Sequence, residues 1–219
     1  MNSLERVESK RRAKSKPARK RWDTLTDWAR DRAGIITMPI ARVIGRMGIH
    51  PNVLTILGMA FQIGIAVLFS FGRIHIGGVL LLILSPIDAL DGALARATGK
   101  QSRFGAFLDS TLDRVSDAVL IIGLIIHHLR QDTPLPAFLF LISLATVMIV
   151  SYVRTRAEAL KFTCKVGVLT RMERVIMIGI LSALGLTVPL AWLLSILSVF
   201  TVLQRILHVY AISQEDSGE

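Results

Sequence analysis

The chain has 219 residues, 52% of them hydrophobic, with a mean hydropathy of +0.55 and a formal net charge of +10. The apolar excess sits in long runs and leaves no stretch for a soluble domain of useful size, so the fold class is an all-α polytopic membrane bundle. Of the 26 Lys and Arg, 13 fall in the first 46 residues, just ahead of the first apolar run, where basic charge points to anionic lipid and the cytoplasmic side and not to nucleic acid.

Residues 1–22 are predicted to be a basic, disordered, membrane-attracted tail. Over 23–47 the apolar Leu25, Trp28, Ile35, Ile36, Met38, Ile40 and Val43 alternate with Asp23, Asp27, Arg30, Arg32, Arg42 and Arg46. This predicts an amphipathic segment lying in the membrane interface, interrupted near Gly34 and Pro39. Pro51 then opens the first span. Asn52 and Thr55 either cap that helix or offer polar contacts to a ligand at the cytoplasmic mouth, and the residues alone leave the two open.

At about 20 apolar residues per crossing, residues 48–212 are predicted to hold six transmembrane helices. These are Leu54–Phe71, Gly77–Ala95, Phe107–Leu129, Pro136–Val153, Val175–Leu190 and Ala191–Ala211, with a polar tail at 213–219. The break between the last two rests on the region of Pro189. Arg96, Lys100 and Arg103 fall between spans two and three, and Arg154, Arg156, Lys161, Lys165, Arg171 and Arg174 between four and five. Only Arg73 and Arg130 lie near the opposite connections, which puts both termini in the cytoplasm. No secretory signal pattern is expected at the basic start. The single cysteine, Cys164, is expected as an ordinary reduced thiol in a cytoplasmic loop.

The chemistry concentrates in four aspartates. Asp88 and Asp91 lie at i, i+3 near the end of the second span, and Asp109 and Asp113 at i, i+4 near the start of the third. On helices each pair shares a face, and the short turn at 99–103 lets the pairs oppose each other. Acids at membrane depth face a bundle interior or a wet cavity. Four carboxylates gather only around cations, and oxygen-only ligands suit a hard ion such as Mg²⁺. Two such ions can bridge a diphosphate and stabilise its entering and leaving oxygens. Gly92 and Ala95 bare the helix surface for a nucleotide, Arg96 offers a fork for phosphate, and Asp113 is the candidate general base. Asp117 is expected behind the ligands or paired with Arg114, and His127 and His128 as interface residues at the far end of span three.

The whole pattern, D-x2-D-G-x2-A-R-x8-G-x3-D-x3-D over residues 88–113, is filled at every position. In it the chain resembles the CDP-alcohol phosphotransferase family, integral membrane enzymes of phospholipid synthesis, with looser similarity from about Ile36 to Val209. The resemblance implies a transferase and makes Asp88, Asp91, Asp109 and Asp113 metal ligands, with Asp113 also the proton acceptor. It further implies CDP-lipid contacts at Asn52, Val53, Leu54, Thr55, Gly92, Arg96 and Ser102, an active site on the cytoplasmic face of the cell membrane, and a homodimer. The metal it implies is Mg²⁺, two ions, with Mn²⁺ the alternative.

The acceptor decides the product. Arg154, Arg171, Arg174 and Arg205 all fall at cytoplasmic helix ends, more arginines than a CDP diphosphate needs, which suggests an acceptor bearing its own phosphate. The strings Ser151-Tyr-Val-Arg154-Thr-Arg156-Ala-Glu158-Ala and Arg171-Met-Glu173-Arg174 are similar to those of the family branch that makes phosphatidylinositol phosphate from inositol 1-phosphate. There the matching positions, Ser151, Arg154, Arg171, Arg174 and Arg205 here, form a basic acceptor pocket. Arg154 stands where that branch often has Lys, and Thr170 and Met172 replace common Glu and Pro, which keeps glycerol 3-phosphate as the alternative acceptor. An ion-coupled transporter is the competing class, but it predicts inverted repeats and broken helices, and the sequence shows neither. A lipid-binding scaffold leaves the aspartates unexplained.

Overall fold

The computed structural model describes Pro39, Ala41 and residues 43–216, with side chains for all of these but 87–89, 215 and 216. The expected tail at 1–22, most of the interfacial segment at 23–47, the Asp88 side chain and the end of the C-terminal tail lie outside the described residues. What is described falls within a single unit, residues 33–219.

After a short helical stretch at 43–46, six helices account for nearly the whole described chain, and no strand occurs among the described residues. They are α1 (Pro51–Ser70), α2 (Ile74–Thr98), α3 (Arg103–Arg130), α4 (Pro134–Ala159), α5 (Arg171–Ala183) and α6 (Thr187–Asp216). Their starts follow local chemistry. Pro51 and Pro134 sit in the first turns of α1 and α4, where the missing N–H costs nothing. Ser102 caps α3, its Oγ accepting from the Gly105 N–H at 2.9 Å.

Four helices are long and apolar enough to cross a membrane: α1, α2, α4 and residues 187–214 of α6. At about 1.5 Å per residue each is about 30 Å or longer. In α3 the first fifteen residues carry Arg103, Asp109, Asp113, Arg114 and Asp117, and α5 has only 13 residues. The boundary expected near Pro189 is corrected. The chain breaks at 184–186, where Gly185 takes a φ of +73° that a side chain would strain, and Pro189 sits in the first turn of α6.

Helix α1 packs on α2 and α3, α2 on α5, α3 on α4, and α4 on α6. The shared core holds Phe69, Leu81, Leu120, Ile121, Leu124, Phe140, Val147, Ile178, Leu190 and Leu194, while Ile83, Phe138, Ile196 and Leu203 point outward. Two contacts fix the approach of neighbours. At Gly123 on α3, an added Cβ would lie 2.5 Å from the carbonyl oxygen of Ala66 on α1, so only glycine admits that spacing. Between α4 and α6, hydroxyls pair across the seam, Ser143 with Ser195 at 3.1 Å and Thr146 with Ser198 at 2.8 Å.

Candidate active site

The site forms where the C-terminal half of α2, the N-terminal half of α3 and the first turns of α1 and α5 meet. Asp91 of α2 and Asp109 and Asp113 of α3 line a cavity of about 10 Å³ with Thr55, Met59, Leu112, Ser116 and Arg171. That volume has room for one particle the size of a water molecule. Asp91 is buried. Its Oδ2 accepts from the Thr55 hydroxyl at 2.7 Å, and its Oδ1 accepts from the N–H of Gly92. Arg171 Nη2 reaches Asp113 Oδ1 at 2.9 Å.

Three carboxylates against one guanidinium leave the lining acidic, and the other heteroatoms in it are the hydroxyls of Thr55 and Ser116 and the thioether sulfur of Met59. The carboxylate and hydroxyl oxygens are the ligands a hard divalent cation takes, and the one soft atom, Met59 Sδ, accepts from the Ser116 hydroxyl. Among the described residues no group of three His, Cys, Asp or Glu is close enough to hold an ion unaided. The fourth aspartate, Asp88, is three positions before Asp91 on α2.

The expected nucleotide contacts gather only in part. Asn52 and Ser102 converge on Gly105, where an added Cβ would stand 3.0 Å from Ser102 Oγ and 3.2 Å from Asn52 Oδ1. A Cβ on Gly92 would meet Arg96 Nη1 at 3.4 Å, so the arginine lies along the bare helix face. Thr55 holds Asp91. Leu54 packs against the small cluster of Ala41, Ala93 and Leu94, and Val53 is exposed.

The arginines of the expected acceptor pocket divide three ways. Arg171 lines the cavity. Arg174 is buried and forms an ion pair with Asp117 of α3. Asp117 thus pairs across helices and not with Arg114, whose Nη1 donates to the Ser110 carbonyl one turn back on its own helix. Arg205 is also buried, its Nε on the Val166 carbonyl at 2.9 Å and its Nη1 on the Val150 carbonyl at 2.6 Å. Arg154 is exposed and paired with Glu158 at 2.9 Å. Ser151 lines a separate groove of about 260 Å³ with Arg114, Met148, Tyr152 and Thr155.

The loop between α4 and α5 is fastened by α6. Besides Arg205, the Thr201 hydroxyl accepts from the Leu169 N–H at 3.2 Å, and His208 Nε2 donates to the Thr163 carbonyl at 3.2 Å. Within that loop Cys164 is buried, and burial pushes its thiol pKa up, against an opposing pull from Arg205 and Arg154. His127 and His128, expected at the interface, are packed inside instead, with His128 Nδ1 2.8 Å from the Thr133 hydroxyl.

Sequence reasoning missed Met59 and Ser116, which meet inside the cavity wall through a Ser116 Oγ to Met59 Sδ contact of 3.1 Å. The signal was present as helical spacing: Met59 is i+4 from Thr55, and Ser116 is i+3 from Asp113.

Residues 48–207 match the family model described as CDP-alcohol phosphatidyltransferase. The chain belongs to the CDP-alcohol phosphatidyltransferase family. It is 39% identical over 190 residues to the phosphatidylinositol phosphate synthase of Mycobacterium tuberculosis, covering 80% of this chain and 86% of that one. It is 41% identical over 169 residues to the archaetidylinositol phosphate synthase of Pyrococcus horikoshii, covering 76% and 87%. Among solved structures, the M. tuberculosis phosphatidylinositol phosphate synthase with CDP-DAG bound superposes with a TM-score of 0.75 at 34% identity, covering 80% of this chain and 94% of that one. The same enzyme in complex with manganese and citrate gives a TM-score of 0.74 at 35% identity, covering 80% and 88%. This family member is therefore a phosphatidyltransferase of phospholipid biosynthesis, and residues 88–113 lie within the matched span.

Proposed function

We propose that this transferase moves the phosphatidyl group of CDP-diacylglycerol onto inositol 1-phosphate, giving phosphatidylinositol phosphate and CMP. The observation that carries the reading is the placement of Arg171 on Asp113 inside the carboxylate cavity. It puts a phosphate-binding fork beside the candidate base, which suits an acceptor bearing both a phosphate and a reactive hydroxyl. The named relatives differ in their lipid, phosphatidyl or archaetidyl, and agree on inositol phosphate.

In this mechanism the acceptor hydroxyl loses its proton to Asp113, and its oxygen attacks the phosphorus bonded to the lipid. The bond from that phosphorus to the bridging oxygen breaks, and CMP leaves with the electron pair. Asp88, Asp91, Asp109 and Asp113 would hold two divalent ions, Mg²⁺ with Mn²⁺ as the alternative, a choice supported by the manganese complex of the relative. When bound, such ions neutralise charge on the diphosphate. Thr55 orients the Asp91 carboxylate. Asn52, Val53, Leu54, Gly92, Arg96 and Ser102 bind the CDP end with it. Of the acceptor set Ser151, Arg154, Arg171, Arg174 and Arg205, Arg171 meets the acceptor's phosphate at the cavity, while Arg174 and Arg205 stand behind it on Asp117 and backbone carbonyls, and Ser151 and Arg154 lie on the outer groove and surface.

The bundle spans the cell membrane six times, α3 and α5 crossing among the four apolar helices. An interfacial helix precedes it, both termini and the site face the cytoplasm, and residues 48–212 form the catalytic domain. The enzyme is a homodimer, with its basic start against anionic lipid. The test is CMP release by purified protein with CDP-diacylglycerol and Mg²⁺, offered inositol 1-phosphate, glycerol 3-phosphate, inositol or serine separately. Turnover with inositol 1-phosphate is expected; turnover with glycerol 3-phosphate alone replaces the acceptor. In the active pair, Arg171→Ala raises the acceptor KM about ten- to a hundredfold, the loss of one charge-assisted contact, and leaves the CDP-lipid KM nearly unchanged.

A further inference from the structure

Asp117 is the acid on the polar face of α3 for which the proposed reaction has no task. It is 2% exposed, as is its partner Arg174, one turn further into α5 than Arg171. The two ion pairs form parallel rungs between the same helices: Arg171 with Asp113, and Arg174 with Asp117. The spacings match, i to i+3 on α5 and i to i+4 on α3, about 4.5 and 6 Å of rise.

The backbones of α3 and α5 barely approach each other, so these arginines span a gap that no close helix packing closes. The far half of α5 is fixed differently. At Gly78 of α2 an added Cβ would meet the backbone N of Ala183 at 2.2 Å, so that end is locked by main-chain contact. The first turn of α5, which carries Arg171, has no such lock on α3. The Nε of Arg174 is buried without a partner among the described residues, which leaves Asp117 as the carboxylate that holds this guanidinium there.

We infer that Asp117 is a positioning residue. By holding Arg174 across the gap, it sets the first turn of α5 and lays the Arg171 guanidinium against Asp113. Being buried beneath the cavity, it acts through these arginines and touches neither substrate. The inference rests on the phosphorylated-acceptor reading for its kinetic consequence: Asp117 governs how the acceptor sits, and leaves the CDP-lipid alone.

The test uses full-length protein in detergent. Asp117→Asn keeps the shape and removes the charge. It is expected to raise the acceptor KM about tenfold, the loss of one well-placed charged contact, while the CDP-lipid KM stays within about twofold. Hydrogen–deuterium exchange over residues 170–176 is expected to quicken, with the far half of α5 unchanged. Because a lone buried guanidinium can prevent folding, Asp117→Leu with Arg174→Met is the second variant. Replacing a buried pair by apolar residues of similar size preserves folding without leaving an unpaired charge.

The proposal stands if Asp117→Asn, or the double variant where the single one does not fold, shows both the acceptor effect and the faster exchange. It is overturned if either effect is missing from folded protein, including a double variant that regains native turnover. Should the wild type reject every phosphorylated acceptor, the substrate reading fails by that result, while the exchange rates still decide whether Asp117 holds the turn.

Discussion

The Thr55 hydroxyl has two acceptors within reach, Asp91 Oδ2 at 2.7 Å and the Pro51 carbonyl at 3.3 Å, and the shorter bond goes to the candidate ligand. A partner that orients a metal-binding carboxylate typically matters 10- to 100-fold in metal affinity or activity. Thr55→Val, which keeps the shape, is therefore expected to raise the Mg²⁺ concentration needed for half-maximal turnover by about tenfold or more. Thr55→Ser should stay near wild type; titrating Mg²⁺ against CMP release measures both. At Asp113 the expectation is sharper. Asp113→Asn should cut turnover by about 10²–10⁴-fold while CDP-lipid binding remains measurable by calorimetry, and retention of more than about a tenth of the activity speaks against the base. The aspartates were legible because their spacing lies within two helices joined by a short turn. The partner of Asp117 was not. Local spacing offers Arg114 on the same helix, whereas Arg174 comes from a helix 57 positions later, a contact set by tertiary packing. Arg205 was legible as a cation but not as a clamp, because its acceptors are backbone carbonyls that no residue pattern encodes.

At the scale of elements, the closest approach of α1 and α3 is set by one missing side chain. Gly123→Ala pushes a methyl into the Ala66 backbone and should destabilise the protein by about 1–3 kcal/mol, as overpacking does. Gly64→Ala on the open face of α1 meets nothing within 4 Å and serves as the control, neutral or slightly stabilising. Thermal unfolding in one detergent compares the two, and equal midpoints would contradict the contact. Helix starts at Pro51, Ser102 and Pro134 could be read from capping chemistry alone. The break before α6 could not, because the sequence offers Gly185 and Pro189 as rival signals. Proline in a first turn continues a helix, whereas glycine at positive φ ends one.

For the molecule as a whole, the separation of charge from apolar surface yields a prediction about where the enzyme works best. Removing residues 1–22 should leave turnover in detergent close to wild type and weaken binding to vesicles rich in anionic lipid. Each basic residue near such a surface contributes about 1 kcal/mol. Co-sedimentation with anionic and neutral vesicles measures the second effect, and lost turnover in detergent would place the tail in the catalytic machinery. The helical class followed from composition, and the site from one signature. The depth at which each arginine sits did not, since burial depends on how six helices close around one another.

The clamp made by Arg205 also bears on the order of events during synthesis. Positions 113 and 205 are 92 residues apart, so the ribosome makes all four aspartates well before the residue that ties down the loop leading into Arg171. At about 5–20 residues per second, that interval is about 5–20 s. During it the half of the site proposed for the nucleotide exists without a fastened acceptor half. The nascent enzyme is therefore expected to gain its two substrate sites in sequence, the acceptor side arriving only when α6 enters the membrane.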